Sequence, residues 1–349
     1  MLYFTNDYSE GCHPEVLRHL TETNLEPLTG YCEDPYCVSA AEKIRTACNT
    51  PNADIFFMMG GTQTNKTAIS VMLGYNAGVI APYTGHINTH EAGAVELTGH
   101  KVIPLPAQQG KLCAKELDEY MNGFLSDPNN VQMVCPAMVY ISYPTEYGAL
   151  YSREELYAIS DACKKHDLLL YMDGARLGYG LASPQCDITL SDIASICDAF
   201  YIGGTKIGAL CGEALVFPRG NAPKRFPTIM KQHGALLAKG RLLGVQFDAL
   251  FTDDLYLKIG KNAVDQSIRL YQTFCQNGYR VLFKPQTNQI FTILDNATEK
   301  ELAKHVKFRF WERYDANHIV ARFVTSWATA PQQVDELAGI LSRLSVSHI

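Results

Sequence analysis

Short apolar runs alternate with helix-length amphipathic stretches between about residues 55 and 215. This alternation is typical of strands joined by crossover helices, so it predicts an α/β fold with a large, mostly parallel mixed sheet flanked by helices. Ser152-Arg153-Glu154-Glu155 has the form of a capping box and predicts a helix that runs to about His166. The predicted strands are 54–59, 79–81, 101–105, 131–142, 168–172, 199–202 and 213–217.

The pattern changes after Phe217, where a segment rich in proline and glycine precedes one long predicted helical stretch over 227–277. The remaining residues predict half-buried strands and helices of a small α+β unit, with strands at 280–285, 289–294 and 319–325 and helices at 298–311 and 331–344. The first fifty residues show weak periodicity, which is typical of an arm or of part of the smaller domain. The expected organisation is an N-terminal arm (1–30), a large α/β domain (31–245) and a small α+β domain (246–349).

The composition narrows the class of protein. The 349 residues are 47% hydrophobic and 19% charged, with a formal net charge of -6, so a large core is expected but no basic surface for nucleic acid or membrane lipid. The sequence has neither a signal-like N-terminus nor a run of about eighteen apolar residues, which predicts a cytoplasmic protein. The 11 cysteines are scattered, and even the close pair Cys32 and Cys37 predicts reduced thiols rather than a disulfide framework or a metal site.

Asp173 directly follows the apolar run that ends in Tyr171-Met172, at the predicted carboxyl end of a strand. Ligands bind at this edge of open α/β sheets, although aspartate alone is also a common turn residue. Lys206 follows another apolar strand in Gly203-Gly204-Thr205-Lys206. Most lysines are solvated, but glycines let the backbone approach a ligand, and a lysine drawn into a pocket loses its proton more readily.

Two further segments follow predicted strands. Gly60-Gly61-Thr62 leads into a helix whose free amides suit a phosphate, and it matches neither the dinucleotide fingerprint nor the P-loop. His86 offers a flat ring, with Glu91 about one helical turn further on. Each feature alone has a structural explanation. Together they meet the demands of pyridoxal 5'-phosphate (PLP), which needs a Schiff-base lysine, an acid at its pyridine nitrogen, phosphate donors such as Thr205 and a group against its ring.

The order of these segments resembles the threonine aldolase and β-eliminating lyase family of fold-type I PLP enzymes over almost the whole chain. The resemblance implies that Asp173 pairs with the pyridine nitrogen and that Arg176 lies beside cofactor and substrate. It also implies that Arg322 grips the substrate carboxylate, since a guanidinium suits that task. Lys231 stands where the family has an arginine that reaches a neighbouring subunit's phosphate, which implies a homodimer or homotetramer with shared sites. The remaining residues that it places at the substrate are Asn6, Tyr31, Glu91 and Glu146.

Two departures from the family pattern concern histidines. Glu146 stands in place of a second active-site histidine, and Ser326-Trp327 replaces a histidine after Thr325. The expected activity is cleavage of a small amino-acid substrate, threonine or allo-threonine, to glycine and an aldehyde. Lys206, Asp173 and His86 are the expected catalytic residues, with His86 as base and Glu146 as a weaker candidate. β-Elimination or transamination of another amino acid, or PLP binding without catalysis, are the alternatives.

Overall fold

The structure is a computed structural model that describes residues 1–346. Its helices are α1 (Pro14–Glu22), α2 (Pro35–Cys48), α3 (Gly61–Met72), α4 (His86–Thr89), α5 (Ala114–Ser126), α6 (Arg153–Lys165), α7 (Leu177–Leu181), α8 (Leu190–Ile196), α9 (Phe226–Gln232), α10 (Arg241–Leu250), α11 (Leu255–Gln276), α12 (Asn296–Leu302) and α13 (Pro331–Val346). Its strands are β1 (Leu2–Tyr3), β2 (Asp54–Met58), β3 (Ala77–Pro82), β4 (Val102–Leu105), β5 (Cys135–Ser142), β6 (Leu169–Asp173), β7 (Ala199–Gly203), β8 (Glu213–Phe217), β9 (Arg280–Val281), β10 (Gln289–Asp295), β11 (Val306–Lys307), β12 (Arg309–Arg313) and β13 (His318–Val324).

A seven-stranded sheet forms the centre of the molecule, in the order β2-β8-β7-β6-β5-β3-β4. Strands β3 to β7 pair in parallel, while β8 runs antiparallel to both of its neighbours. Every residue of β3, β7 and β8 is buried, because helices cover both faces of the sheet. The mostly parallel mixed sheet predicted from the sequence is confirmed.

All seven strands predicted for this sheet are present, with ends that differ by a few residues. The helix predicted after Ser152 is also confirmed. The Ser152 hydroxyl accepts a hydrogen bond from the Glu155 amide, and the Glu155 carboxylate accepts one from the Ser152 amide. This capping box sets the start of α6, which links β5 to β6 and fixes the register that brings their carboxyl ends together.

A smaller antiparallel sheet of order β12-β13-β10-β9 forms the C-terminal part of the chain. β1 pairs in parallel with β11, and Leu2 and Phe4 are buried in the same core as Leu270, Phe323 and Leu337. The first residues therefore pack against the last third of the chain. The domain boundaries at 30 and 245 stay a prediction.

Two sequence-based predictions are wrong. The stretch 227–277 contains three helices, because Gly234 adopts a left-handed conformation after α9, and Asp253 and Asp254 do so before α11. The helix predicted at 298–311 ends at Leu302. The following residues form β11, which pairs with β1, and β12, which pairs with β13. The pairing with β13 provides hydrogen-bond partners for the backbone of the aromatic segment in β12. The N-terminal fifty residues hold α1 and α2, each with proline in its first turn, and the predicted N-terminal arm stays a prediction.

Within residues 1–346, no helix has the combined length and apolarity that crossing a bilayer requires.

Candidate active site

The carboxyl ends of β2, β5, β6 and β7 meet at one edge of the large sheet and surround a cavity of about 320 Å³. A second cavity, of about 450 Å³, adjoins it, because His86, Glu146, Arg176 and Lys206 line both. The structure thus brings together most of the predicted site residues. The first cavity is also lined by Gly60, Gly61, Thr62, Asp173 and Thr205, and the second by Tyr8, His90, Arg309, Phe310, Trp311 and Arg322.

Asp173 ends β6 as a buried carboxylate surrounded by donors. Tyr201 Oη donates to its Oδ1 over 2.5 Å, and Tyr140 Oη and Asn65 Nδ2 donate to its Oδ2 over 2.7 Å and 2.9 Å. Burial would raise the pKa of Asp173, but the positive charge of His86 and these hydrogen bonds outweigh it, so the pKa lies below its usual value. A fixed negative charge therefore faces the cavity.

Two chains of hydrogen bonds connect His86 to Asp173, and the first passes through Asn65 and Glu91. Asn65 Nδ2, which donates to Asp173, also donates to Glu91 Oε1 over 2.7 Å, and that oxygen lies 2.7 Å from Nδ1 of His86. Since a carboxylate only accepts, Nδ1 carries a proton, and Nε2 is the ring nitrogen that Glu91 does not contact. Glu91, predicted at the substrate, instead lies behind His86 and lines neither cavity.

A second route from Asp173 to His86 passes through Glu146. Glu146 Oε1 accepts from the backbone amide of His86 over 2.9 Å and from Ser142 Oγ over 2.6 Å, and Ser142 Oγ lies 3.1 Å from Tyr140 Oη. Oε2 of Glu146 is buried and has no partner within residues 1–346. Burial raises the pKa of Glu146, and the hydrogen bond from Ser142 offsets this only in part. Both routes together hold His86 in place.

Lys206 lies on the loop after β7, with its side chain at the junction of the two cavities. Burial and the nearby charge of Arg176 lower the pKa of Lys206, which favours the nucleophilic neutral amine. Glu213 holds the loop by accepting from the Gly204 amide over 3.0 Å and from Thr205 Oγ1 over 2.8 Å. Thr205 Oγ1 thus has a partner in Glu213, and its predicted role as a phosphate donor stays a prediction.

Arg176 lines both cavities, but its charge is already paired. Its Nε and Nη2 donate to the two carboxylate oxygens of Asp7 over 2.7 Å and 3.0 Å, and Asn288 Nδ2 also donates to Asp7. Burial would raise the pKa of Asp7, but Arg176 and Lys206 outweigh it and the pKa lies below its usual value. Asp7 is therefore the residue of this segment that contacts Arg176, whereas the predicted site residue is its neighbour Asn6.

Arg322 lines the second cavity without a carboxylate partner. Its Nη1 donates to Gln289 Oε1 over 3.1 Å, its Nε is buried without a partner within residues 1–346, and its guanidinium lies 4.9 Å from the ring centre of Trp311. Burial lowers the pKa of Arg322 to about 10, so the side chain is still charged at neutral pH. The arrangement suits the carboxylate of a ligand, as the resemblance implied.

The glycine turn before α3 presents free backbone donors to the first cavity. Gly60 caps the helix without a side-chain hydrogen bond, and the amides of the first turn have no partner within the helix. A Cβ atom on Gly61 would lie 2.9 Å from Tyr201 Oη, the hydroxyl that holds Asp173. Only glycine therefore keeps both the close approach and the Asp173 hydrogen bond.

Besides Glu91, three further predicted residues lie outside both cavities. Asn6 turns away and accepts from the Tyr8 amide over 2.9 Å, so that Tyr8 faces the cavity in its place. Tyr31 and Lys231 lie together elsewhere, with the Lys231 ammonium 4.5 Å from the Tyr31 ring centre. The predicted contact of Lys231 with a neighbouring subunit stays a prediction.

A large mixed sheet with a lysine, a charged buried carboxylate and a glycine turn at one edge defines the fold-type I class of PLP-dependent enzymes. The family model described as "Beta-eliminating lyase" matches residues 14–306, and the chain belongs to this family. It is 28% identical over 340 residues to the low specificity L-threonine aldolase of Pseudomonas aeruginosa, covering 96% of this chain and 95% of the relative.

Solved structures agree with this family. The chain is similar to the threonine aldolase of Leishmania major, with a TM-score of 0.95, 39% identity and coverage of 99% of this chain and 100% of that one. An aspartate aminotransferase of Thermus thermophilus has a TM-score of 0.72 at 13% identity and covers 99% of this chain and 91% of its own. This more distant likeness shows the shared fold alone.

Proposed function

We propose that this chain is a PLP-dependent lyase that cleaves threonine or allo-threonine to glycine and an aldehyde. One observation supports this most strongly. Lys206, Asp173 and the unpaired guanidinium of Arg322 line two adjoining cavities, so an amine, an acid and a carboxylate clamp face the same space. The relatives are named threonine aldolases, which supports threonine cleavage as the reaction of this site.

The residues of the first cavity fit PLP. Lys206 would hold its aldehyde, Asp173 its protonated ring nitrogen, and the first-turn amides of α3 at Gly61 and Thr62 its phosphate, with His86 against the ring. The charged state of Asp173 and the lowered pKa of Lys206 are what these two tasks require. When bound, the cofactor supplies a sink for the electron pair released at Cα.

The chain's own residues bind and orient the substrate and move its proton. Arg322 binds the substrate carboxylate, which fixes the orientation of the amino acid and thereby selects the bond that breaks. His86 takes the β-hydroxyl proton at Nε2, because Glu91 holds the ring at Nδ1 and Glu146 holds the main-chain amide, which leaves Nε2 as the ring nitrogen available for this transfer. Glu146 is the alternative base, since its raised pKa brings a carboxylate closer to the range in which it can accept a proton.

We also propose a cytoplasmic homodimer or homotetramer in which Lys231 reaches the neighbouring subunit's site. Lys231 is exposed and lies away from the cavities of its own chain, on the short helix α9. Size-exclusion chromatography with light scattering tests the assembly. A monomer that turns over threonine at full rate would contradict it.

The central experiment records the visible absorbance of the purified holoenzyme alone and with L-threonine, L-allo-threonine and L-serine, while the released products are identified. We expect aldehyde and glycine from the first two. Lys206→Ala should lose both turnover and the adduct that borohydride reduction traps, whereas Lys164→Ala, a surface lysine paired with Asp161, should keep both. Release of a keto acid would favour β-elimination or transamination. Bound cofactor without turnover would favour a non-catalytic PLP-binding protein.

A further inference from the structure

Two arginines face each other across the strands that border the second cavity. In the antiparallel pairing of β12 with β13, Arg309 lies directly opposite Arg322. Directly opposed residues project from the same face of a sheet, and both of these line the second cavity. Like charges in this relationship destabilise a sheet, so an anion between them is the natural complement.

The protein does not supply that anion itself. Within residues 1–346 neither Arg309 nor Arg322 forms an ion pair, and the one side-chain acceptor of Arg322 is the neutral amide of Gln289. Arg176, the third arginine of the cavity, differs because Asp7 neutralises it. The cavity therefore presents two positive charges where one would suffice for an α-carboxylate.

The rest of the cavity wall does not balance this charge. Its one carboxylate is Glu146, whose Oε1 is already occupied by Ser142 and the His86 amide. His90 lies beside Trp311. Burial, and then the charges of His86, Arg309 and Arg322, lower the pKa of the His90 ring. The ring is thereby kept neutral, and it adds no positive charge that would have to be matched.

We propose that this site takes β-hydroxy amino acids whose β-substituent carries a second anionic group. Arg322 holds the α-carboxylate and Arg309 holds the second anion, and Trp311 contacts both the Arg322 guanidinium and the His90 ring. This inference rests on the proposed function and names its substrate class. The smallest such substrate that carries two carboxylates is 3-hydroxyaspartate.

The reaction balances without any co-reactant. The Cα–Cβ bond breaks, its electron pair remains on Cα, and Cα takes up a proton. The β-hydroxyl group gives up its proton and becomes the carbonyl of the aldehyde, so the substrate yields glycine and glyoxylate with no net oxidation or reduction. Arg309 contacts only the anionic substituent, and its contribution is therefore to binding and selectivity.

A binding measurement tests the two-anion site without relying on turnover. Calorimetric titration of the holoenzyme with succinate and with butyrate compares a dicarboxylate with a monocarboxylate of the same length. We expect succinate to bind at least about tenfold more tightly, which corresponds to about 1.4 kcal/mol. Arg309→Ala should abolish this preference, and Arg313→Ala, an exposed arginine on the same strand that lines neither cavity, should retain it.

A kinetic measurement on the same proteins then tests the substrate. We expect Arg309→Ala to lower the ratio of kcat/KM for 3-hydroxyaspartate to kcat/KM for L-threonine by at least about tenfold, with Arg313→Ala leaving the ratio unchanged. Equal binding of succinate and butyrate, or a preference that survives Arg309→Ala, would overturn the inference. If threonine is cleaved but the preference is absent, the inference alone fails. If dicarboxylates bind but no amino acid is cleaved, the proposed function fails.

Discussion

Glu146 accepts a hydrogen bond of 2.9 Å from the backbone amide of His86. Glu146, which stands where the family has a histidine, thus holds His86, which the sequence predicts to be the base. Because Glu91 contacts the ring of the same histidine at Nδ1, His86 is fixed both through its main chain and through its side chain. This relationship supports the proposal that Glu146 positions His86 and that His86 transfers the proton.

Substitutions at Glu146 separate positioning from proton transfer. Glu146→Gln keeps an oxygen acceptor for the His86 amide and Ser142, so we expect kcat within about threefold of the wild type, whereas Glu146→Ala should lose about tenfold. His86→Ala should lose about 10²–10⁴-fold. Steady-state kinetics with L-threonine measure all three. A Glu146→Gln enzyme as impaired as His86→Ala would make Glu146 the base.

The donors around Asp173 set the acid limit of activity. Tyr201→Phe removes a hydroxyl that lowers the pKa of Asp173, so that pKa should rise and the acid-side loss of kcat/KM should begin at higher pH. Losing a hydrogen bond to a charged group should also cost about 1.5–3 kcal/mol of stability. Tyr171→Phe is the control, because Tyr171 Oη donates to Asn65 and not to the carboxylate. A pH profile equally displaced in both variants would contradict this role.

Asp7 should be important for stability as well as for the site. Asp7→Ala leaves Arg176 buried without its partner, which should cost about 3–5 kcal/mol in the free energy of unfolding, measured by urea denaturation of the apoprotein. Glu15→Ala breaks the exposed pair with Arg18 and should have no measurable effect. If both substitutions had the same small effect, the buried pair would not be a determinant of stability.

Glu213 should give the apoprotein a pH-dependent stability. Burial raises the pKa of Glu213 from its usual 4.5 to about 8. Between these values the folded protein keeps a proton that the unfolded chain has lost, so this group makes the free energy of unfolding fall as pH rises through that window. Glu213→Gln should flatten the fall between about pH 5 and pH 8, as measured by urea denaturation. A slope unchanged by the substitution would show that Glu213 titrates normally.

The sequence predicted the large sheet well because each of its strands is a short apolar run next to a glycine or proline turn. The same pattern of apolar run and turn predicted the positions of Asp173, Lys206 and Gly61. Each of them lies at or just after the end of a strand, at the edge of the sheet where ligands bind. Local sequence is sufficient for such residues. Their roles in binding and catalysis remain proposals that the variants above test.

The sequence did not predict which side chains would form hydrogen bonds around the site. Tyr140 and Tyr171 lie within apolar strands and pair in register across β5 and β6, so each is indistinguishable from a core residue until the sheet is assembled. Arg309 and Trp311 escape prediction for a different reason: both fall within 298–311, which the sequence predicts as helix, and a helix places alternate side chains on different faces than a strand does.

The pairing of β1 with β11 gives the site an order of assembly. Leu2 pairs with Val306, and the Phe4 carbonyl accepts from the Val324 amide, so the segment that presents Asp7 to Arg176 docks on strands synthesised some three hundred residues later. A ribosome-bound chain that has completed Asp173 and Lys206 therefore contains Asp7 but still lacks the strands on which the segment around Asp7 docks. Competence to bind substrate should appear abruptly, after the last strand has left the exit tunnel.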